Sequence, residues 1–194
     1  MNGLPLRVKN ILLSPKAEWK VIQEERTTYR ALIFSYVAVV AMAPPLSAVA
    51  ERLMFGRGMA GALPLGQVLA LNVLWYFMIV INIVIFSAVI TAVVFSNETW
   101  WSSLRGLQLA SFSFTPLFLA GIPAIIPQLS WSLYPAILYS IYLLYLGVRT
   151  MTGAAQGKAV AYAVVSFLAA ALIVGTLNGL EYMLESFMAA KVSL

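Results

Sequence analysis

Long unbroken apolar runs dominate the chain and predict membrane-spanning helices. A helix needs about 20 apolar residues to cross roughly 30 Å of hydrocarbon. Five runs reach or nearly reach that length, at 31–50, 68–95, 104–126, 131–148 and 160–183. Because the runs are continuous rather than alternating, and backbone groups in lipid must bond internally, each run predicts a helix. The pattern therefore predicts an all-α integral membrane protein with five transmembrane helices.

The first thirty residues carry a different, amphipathic pattern. Ser14 and Pro15 are typical of a helix start, as an N-cap and a first helical residue. Beyond them, Trp19 and Ile22 fall on one side of the predicted helix, and charged residues lie toward the other. We expect residues 1–30 to form a cytoplasmic amphipathic segment on the membrane surface, with Pro15, Trp19 and Ile22 as interfacial anchors. The alternative is a docking surface for a cytoplasmic partner.

The connections between the apolar runs are short, so residues 31–194 are predicted to form one transmembrane domain. Prolines interrupt two of its helices, at Pro44 and Pro45 in the first span and at Pro116 and Pro123 in the third. An interior proline removes a backbone hydrogen bond and kinks the helix. We therefore expect the first and third spans to be broken.

The distribution of basic residues predicts the orientation. Nine Lys and Arg residues lie on the side of the membrane that holds the N-terminus, against three on the other side. Cytoplasmic loops carry the excess of positive charge. The N-terminus should therefore be cytoplasmic and the C-terminus outside. Trp100 and Trp101, at the inner end of the third span, fit an interfacial aromatic belt.

Composition excludes several classes of function. Hydrophobic residues make up 62% of the chain and charged residues 10%, which excludes a soluble enzyme. The chain has no Cys and no His, which excludes thiolate–zinc sites and Ser–His triads. We expect neither an enzyme nor a bound cofactor. The net charge of +5 suits anionic membrane lipids better than nucleic acid, because no aromatic–basic groove pattern accompanies it.

Polar side chains inside the spans are candidates for function. A polar residue facing lipid is costly, so Asn72, Asn82, Gln108 and Asn178 should face protein or water. They could form hydrogen bonds between helices. Alternatively, together with Glu181, they could line a polar path or bind a ligand.

The fifth span combines small residues with acidic ones. Ala171, Gly175 and Gly179 recur every four residues, a spacing that favours close helix packing, either within the chain or between two copies. Glu181 and Glu185 share a helical face near the C-terminus. Their oxygen atoms are candidate ligands for a cation, and the alternative is a solvated helix end. No other metal site is expected.

Two stretches resemble the Yip domain family of Ypt/Rab-interacting membrane proteins. Residues 14–24 resemble the opening of its bacterial members, with Pro, Trp, Ile and Glu at this spacing. Residues 139–153 resemble the family's Tyr-rich fourth span, which ends in Gly. The positions that carry this second resemblance are Tyr142, Tyr145, Gly147, Arg149 and Gly153. The Asp-Leu-Tyr-Gly-Pro motif of eukaryotic relatives is not found, so the resemblance does not extend to Rab binding.

The resemblance implies a non-enzymatic membrane protein. Eukaryotic members of the family are linked to vesicle trafficking and are without known catalysis. The missing catalytic side chains, the short loops and this resemblance together predict a scaffold or adaptor in the bacterial inner membrane, with membrane lipids, a cytoplasmic protein or a second copy of the chain as partners. The alternative from the intramembrane polar residues is a small transporter or channel for an ion, metabolite or lipid.

Overall fold

The computed structural model describes residues 3–56, 64–95 and 100–192, and no strand occurs in these ranges. Five of the helices within them are long and apolar enough to cross a membrane, which confirms the predicted fold class. These spans are Tyr29–Phe55, Leu65–Val94, Ser103–Ala124, Pro127–Thr152 and Gln156–Ile173.

Two short helices precede the first span. Helix α1 runs from Leu4 to Leu13, and α2 runs from Pro15 to Glu24. Pro15 occupies the first turn of α2 as predicted, where its missing N–H costs nothing. Ser14 between them makes no capping bond through its side chain; its backbone N–H donates to the Asn10 carbonyl and closes α1.

The first and third spans are broken, as their prolines predict. The first span contains a π-helical segment, Ile33–Val37, and a turn at 41–42, after which a new helix runs over Ala43–Phe55. The third span is divided into three helices with Pro116 in the first turn of the middle one. These helices are Trp100–Ser113, Thr115–Leu119 and Gly121–Ala124.

The helix of the fourth span ends in a tight turn, after which the fifth span begins. A 3-10 segment, Pro127–Ser132, leads into the helix Leu133–Thr152. That helix ends at Gly153, which has φ of +66° and donates its N–H to the Arg149 carbonyl. Left-handed backbone of this kind favours glycine. The chain then turns into the longest helix, Gln156–Val192.

The third span lies at the centre of the bundle, because 67% of its 18-residue apolar stretch is buried, against 39% or less of the corresponding stretch in the other four. Its approach to the second span is very close at Gly106. A Cβ atom there would lie 2.1 Å from the Thr91 Oγ1 and 2.7 Å from the backbone oxygen of Ser87. The absence of a side chain at this position therefore sets the distance between the two spans.

Candidate functional site

The N-terminal helices pack into the protein rather than against lipid. Trp19 is completely buried and Ile22 is 1% exposed. The indole of Trp19 meets the Phe112 ring edge-on, with 6.2 Å between ring centroids. The prediction that Trp19 and Ile22 are interfacial anchors is therefore wrong. The physical reason is that the third and fourth spans offer their apolar face a closer-packed surface than lipid headgroups do.

A glycine in the fourth span makes room for the indole. A Cβ atom on Gly147 would lie 2.7 Å from the Trp19 Cζ2 and 2.6 Å from the Leu109 Cδ2, closer than real contacts allow. The missing side chain of Gly147 therefore leaves a space, which we call the notch, that the Trp19 indole occupies. This gives a structural role to one glycine of the family-like motif.

Arg7 of α1 is a buried cation with two carboxylate partners. It is 1% exposed, and its Nη1 donates to the Glu18 Oε1 at 2.5 Å. Its Nη2 donates to Glu25, and its guanidinium carbon lies 5.7 Å from the centroid of the Phe112 ring. A buried charge is tolerated only when it is paired in this way. The ion pairs therefore connect α1, α2 and the segment that enters the first span.

The sequence interpretation missed Arg7 and Glu18, because basic residues of an amphipathic segment are expected to point toward phosphate. The sequence nevertheless contained a signal for the burial of Arg7. Arg7 precedes Ile11 by one turn, and both are buried on the same face of α1. A charged residue within an apolar helical stripe indicates a partner inside the protein.

The aromatic cluster continues from Phe112 into the first span. Tyr36 is 1% exposed, its ring centroid lies 4.6 Å from that of Phe112, and its hydroxyl lies 2.7 Å from the Thr115 Oγ1. Trp19, Arg7 and Tyr36 therefore all contact one ring. The ring of Phe112 joins the N-terminal helices to the first and third spans.

The Tyr-rich fourth span holds the N-terminal helices from another side. The hydroxyl of Tyr139 donates to the Leu12 carbonyl at the end of α1, with an O–O distance of 2.6 Å. Tyr142 lies beside Tyr139, with 5.8 Å between the ring centroids. One turn from the end of the helix, Arg149 donates to the Tyr145 hydroxyl at 3.3 Å. The two stretches that carry the family resemblance thus form one interface, which we call the N-terminal interface.

Residues 9–177 match the family model of the Yip1 domain, which covers most of the chain from α1 to the fifth span. This chain belongs to the Yip1 domain family. No curated protein and no solved structure matches it. In this Yip1-domain protein the match begins inside α1, so it includes the N-terminal interface together with the membrane spans.

A second feature of this Yip1-domain protein is a partly open cavity of about 430 Å³, to which all five spans contribute. The described lining is mostly apolar. It includes Trp75 and Phe86 of the second span and Phe118 of the third. Its polar side chains include Asn82 and Glu51.

Only one of the predicted intramembrane polar residues with a described side chain reaches this cavity. Asn82 lines it, and the Oδ1 atom of Asn82 is buried without a partner in the described structure. Asn72 instead donates to the Val68 carbonyl of its own helix, and Gln108 is buried within the third span; neither lines the cavity. The side chain of Asn178 lies outside the described residues. The described residues therefore do not assemble the predicted polar path.

The small-residue face of the fifth span makes no packing contact with the described part of the chain. Ala171, Gly175 and Gly179 are exposed, and a Cβ atom on either glycine would meet no described atom within 4 Å. Packing of these positions within the chain is therefore not seen among the described residues. Helix Gln156–Val192, which carries these three positions, has 37 residues, whereas helix Leu133–Thr152 of the fourth span has 20. Packing against a second copy stays a prediction.

Two other predictions fall on side chains outside the described structure. These are the cation site at Glu181 and Glu185 and the aromatic belt at Trp100 and Trp101. Both stay predictions. Among the described residues, no group of three or more His, Cys, Asp or Glu side chains could hold a metal ion.

Proposed function

We propose that this Yip1-domain protein is a non-enzymatic membrane scaffold or adaptor, and that its N-terminal helices form a rigid docking surface at the cytoplasmic face. The observation that carries the proposal is the N-terminal interface, in which Trp19 fills the notch at Gly147, together with the ion pairs that Arg7 makes beside it. Rigid attachment reduces the ordering entropy lost when a partner binds. A segment that only anchored the chain in lipid would not need such an interface.

The docking surface is the solvent-facing side of α2. Lys16 and Lys20 lie one turn apart and are exposed, as is Gln23, while Trp19 and Ile22 face the protein. Charge complementarity steers association and selects partners. An acidic surface on a cytoplasmic protein is the chemistry that fits these two lysines.

Site-specific crosslinking in native membranes tests the scaffold role. A photoreactive residue at Lys16 or Lys20 is expected to give one discrete protein adduct. The same residue at Phe34, which is 72% exposed on the side of the first span, provides the control and should give lipid adducts only. Recovery of the uncrosslinked monomer alone at native abundance, or equal adducts at Phe34, would contradict the proposal.

The proposed location is the bacterial inner membrane, with the N-terminus in the cytoplasm. The excess of basic residues on the N-terminal side supports this orientation. The docking surface requires it, because a cytoplasmic partner must reach α2.

Transport is the second candidate function, and the cavity that contains Asn82 favours it. A transporter binds its substrate between spans, near the middle of the membrane. Flux into liposomes by the reconstituted protein should then exceed that of empty vesicles and fall in the Asn82→Leu variant. Asn72→Leu, outside the cavity, is the control. Flux no greater than that of empty vesicles would exclude this function.

A further inference from the structure

Two helices, one of the first span and one of the second, supply half of the described lining of the cavity. Pro44, Ser47 and Glu51 lie on one face of the last helix of the first span, at spacings of three and four residues. On the second span the lining extends from Trp75 to Phe86, which at 1.5 Å per residue is a length of about 16 Å. The volume falls within the range of about 300–1,000 Å³ that is typical of small-molecule sites.

Three residues with polar side chains line the described part of the cavity, Ser47, Glu51 and Asn82. Glu51 is the one charged residue among the described lining, and no Lys or Arg accompanies it. The buried Oδ1 of Asn82 accepts no hydrogen bond from a described residue. Ser47 is already satisfied, because its hydroxyl donates to the Ala43 carbonyl at 2.7 Å. The cavity therefore offers acceptors to a ligand that brings its own donors.

Glu51 and Asn82 lie at different depths. Glu51 is four residues from the end of its helix at Phe55, whereas Asn82 lies near the middle of the 30-residue helix Leu65–Val94. A helix of that length reaches across the whole bilayer. The carboxylate is thus near one membrane surface and the unpaired oxygen is deep, with apolar wall around both.

We propose that this cavity binds an amphiphile with a primary ammonium headgroup, whose hydrocarbon body lies along the apolar wall. The Glu51 carboxylate attracts the ammonium, and the hydrocarbon body extends from there along the apolar wall toward the depth of Asn82. Charge-assisted hydrogen bonds are the stronger class. An anionic headgroup would face Glu51 with no cation on the described lining. The site is separate from the docking surface on α2.

Two sources supply this chemistry, an amine-bearing phospholipid and a free long-chain amine. Brominated acyl chains quench tryptophan at contact, so Trp75 on the lining reports occupancy. Full-length protein is reconstituted in phosphatidylcholine vesicles with a minority of brominated phosphatidylethanolamine, phosphatidylglycerol or phosphatidylcholine. The Trp75 signal is the difference in tryptophan fluorescence between the wild-type protein and the Trp75→Phe variant.

We expect half-maximal quenching of Trp75 by brominated phosphatidylethanolamine at about tenfold lower content than by the other two lipids. Phosphatidylcholine is the informative comparison, because it has the same zwitterionic charge as phosphatidylethanolamine but its quaternary ammonium has no N–H donor. A brominated long-chain amine that quenches as well as phosphatidylethanolamine identifies the ammonium and chain as sufficient. If phosphatidylethanolamine alone is preferred, the phospholipid is the source.

Variants assign the preference to the cavity. Glu51→Gln should reduce the preference toward unity, whereas Glu24→Gln, which changes an exposed carboxylate on α2, should leave it unchanged. Ala48→Leu narrows the cavity without altering its polar groups and should weaken the quenching of Trp75 by every lipid. Unchanged thermal unfolding midpoints confirm that the variants are folded. Equal quenching by the three lipids in wild type, or a preference that survives Glu51→Gln, would overturn the proposal.

Discussion

At the scale of single residues, the ring of Phe112 and its three neighbours explain how the N-terminus is held. Arg7, Trp19 and Tyr36 come from α1, α2 and the first span, and each contacts that ring. Each is 1% exposed or less. A sequence pattern shows which of these residues are apolar, but it does not show that all three share one contact.

Arg7→Met should destabilise the protein because it leaves Glu18 buried without its cation. Removing one member of a buried ion pair costs about 3–5 kcal/mol. The free energy of unfolding in detergent micelles is the measurement. Lys9→Met, an exposed change on the same helix, is the control and should have little effect. Equal stabilities of the two variants would show that the Arg7 pairs contribute nothing.

Gly147→Ala should loosen the N-terminal helices. The added methyl would overlap Trp19 and Leu109, and overpacking of this kind costs about 1–3 kcal/mol. Limited proteolysis at Lys16 and Lys20 should become faster. Gly157→Ala, where a methyl meets no described atom within 4 Å, serves as the matched control. If Gly147→Ala is cleaved at Lys16 and Lys20 no faster than wild type, the packing of Trp19 does not depend on the notch.

At the scale of helices, the prolines are the part that sequence reasoning predicted well. Pro44 and Pro116 each lie in the first turn of a new helix, because proline lacks the N–H that a helix interior needs. The π-helical segment Ile33–Val37 was not predicted, since its residues have no distinguishing pattern. Its backbone geometry depends on how the first span packs against its neighbours.

Gly106→Ala should separate the second and third spans. A methyl there would meet the backbone oxygen of Ser87, which cannot rotate away as a side chain would. We expect a loss of about 1–3 kcal/mol in the free energy of unfolding. Gly66→Ala, at the exposed start of the second span, should be neutral by the same measurement. A neutral Gly106→Ala would show that the close approach is absent in the membrane.

At the scale of the whole molecule, the odd number of candidate spans and the charge bias predict an N-terminus in the cytoplasm and a C-terminus outside. A cytoplasmic reporter fused to the N-terminus should be active, and at the C-terminus only a reporter that requires export should work. The reason is the bias of Lys and Arg toward the N-terminal side. A C-terminal fusion that is active only in the cytoplasm would contradict the odd number of spans.

The sequence by itself determined that the chain is a five-span membrane protein, because the length and continuity of apolar runs are properties that survive without tertiary contacts. It also placed the start of α2 and the breaks in the first and third spans. Only the tertiary structure decided that Trp19 meets Gly147 and that Asn82 lines a cavity. Hydrophobicity says that a side chain avoids water, and in a membrane it cannot say whether lipid or protein covers it.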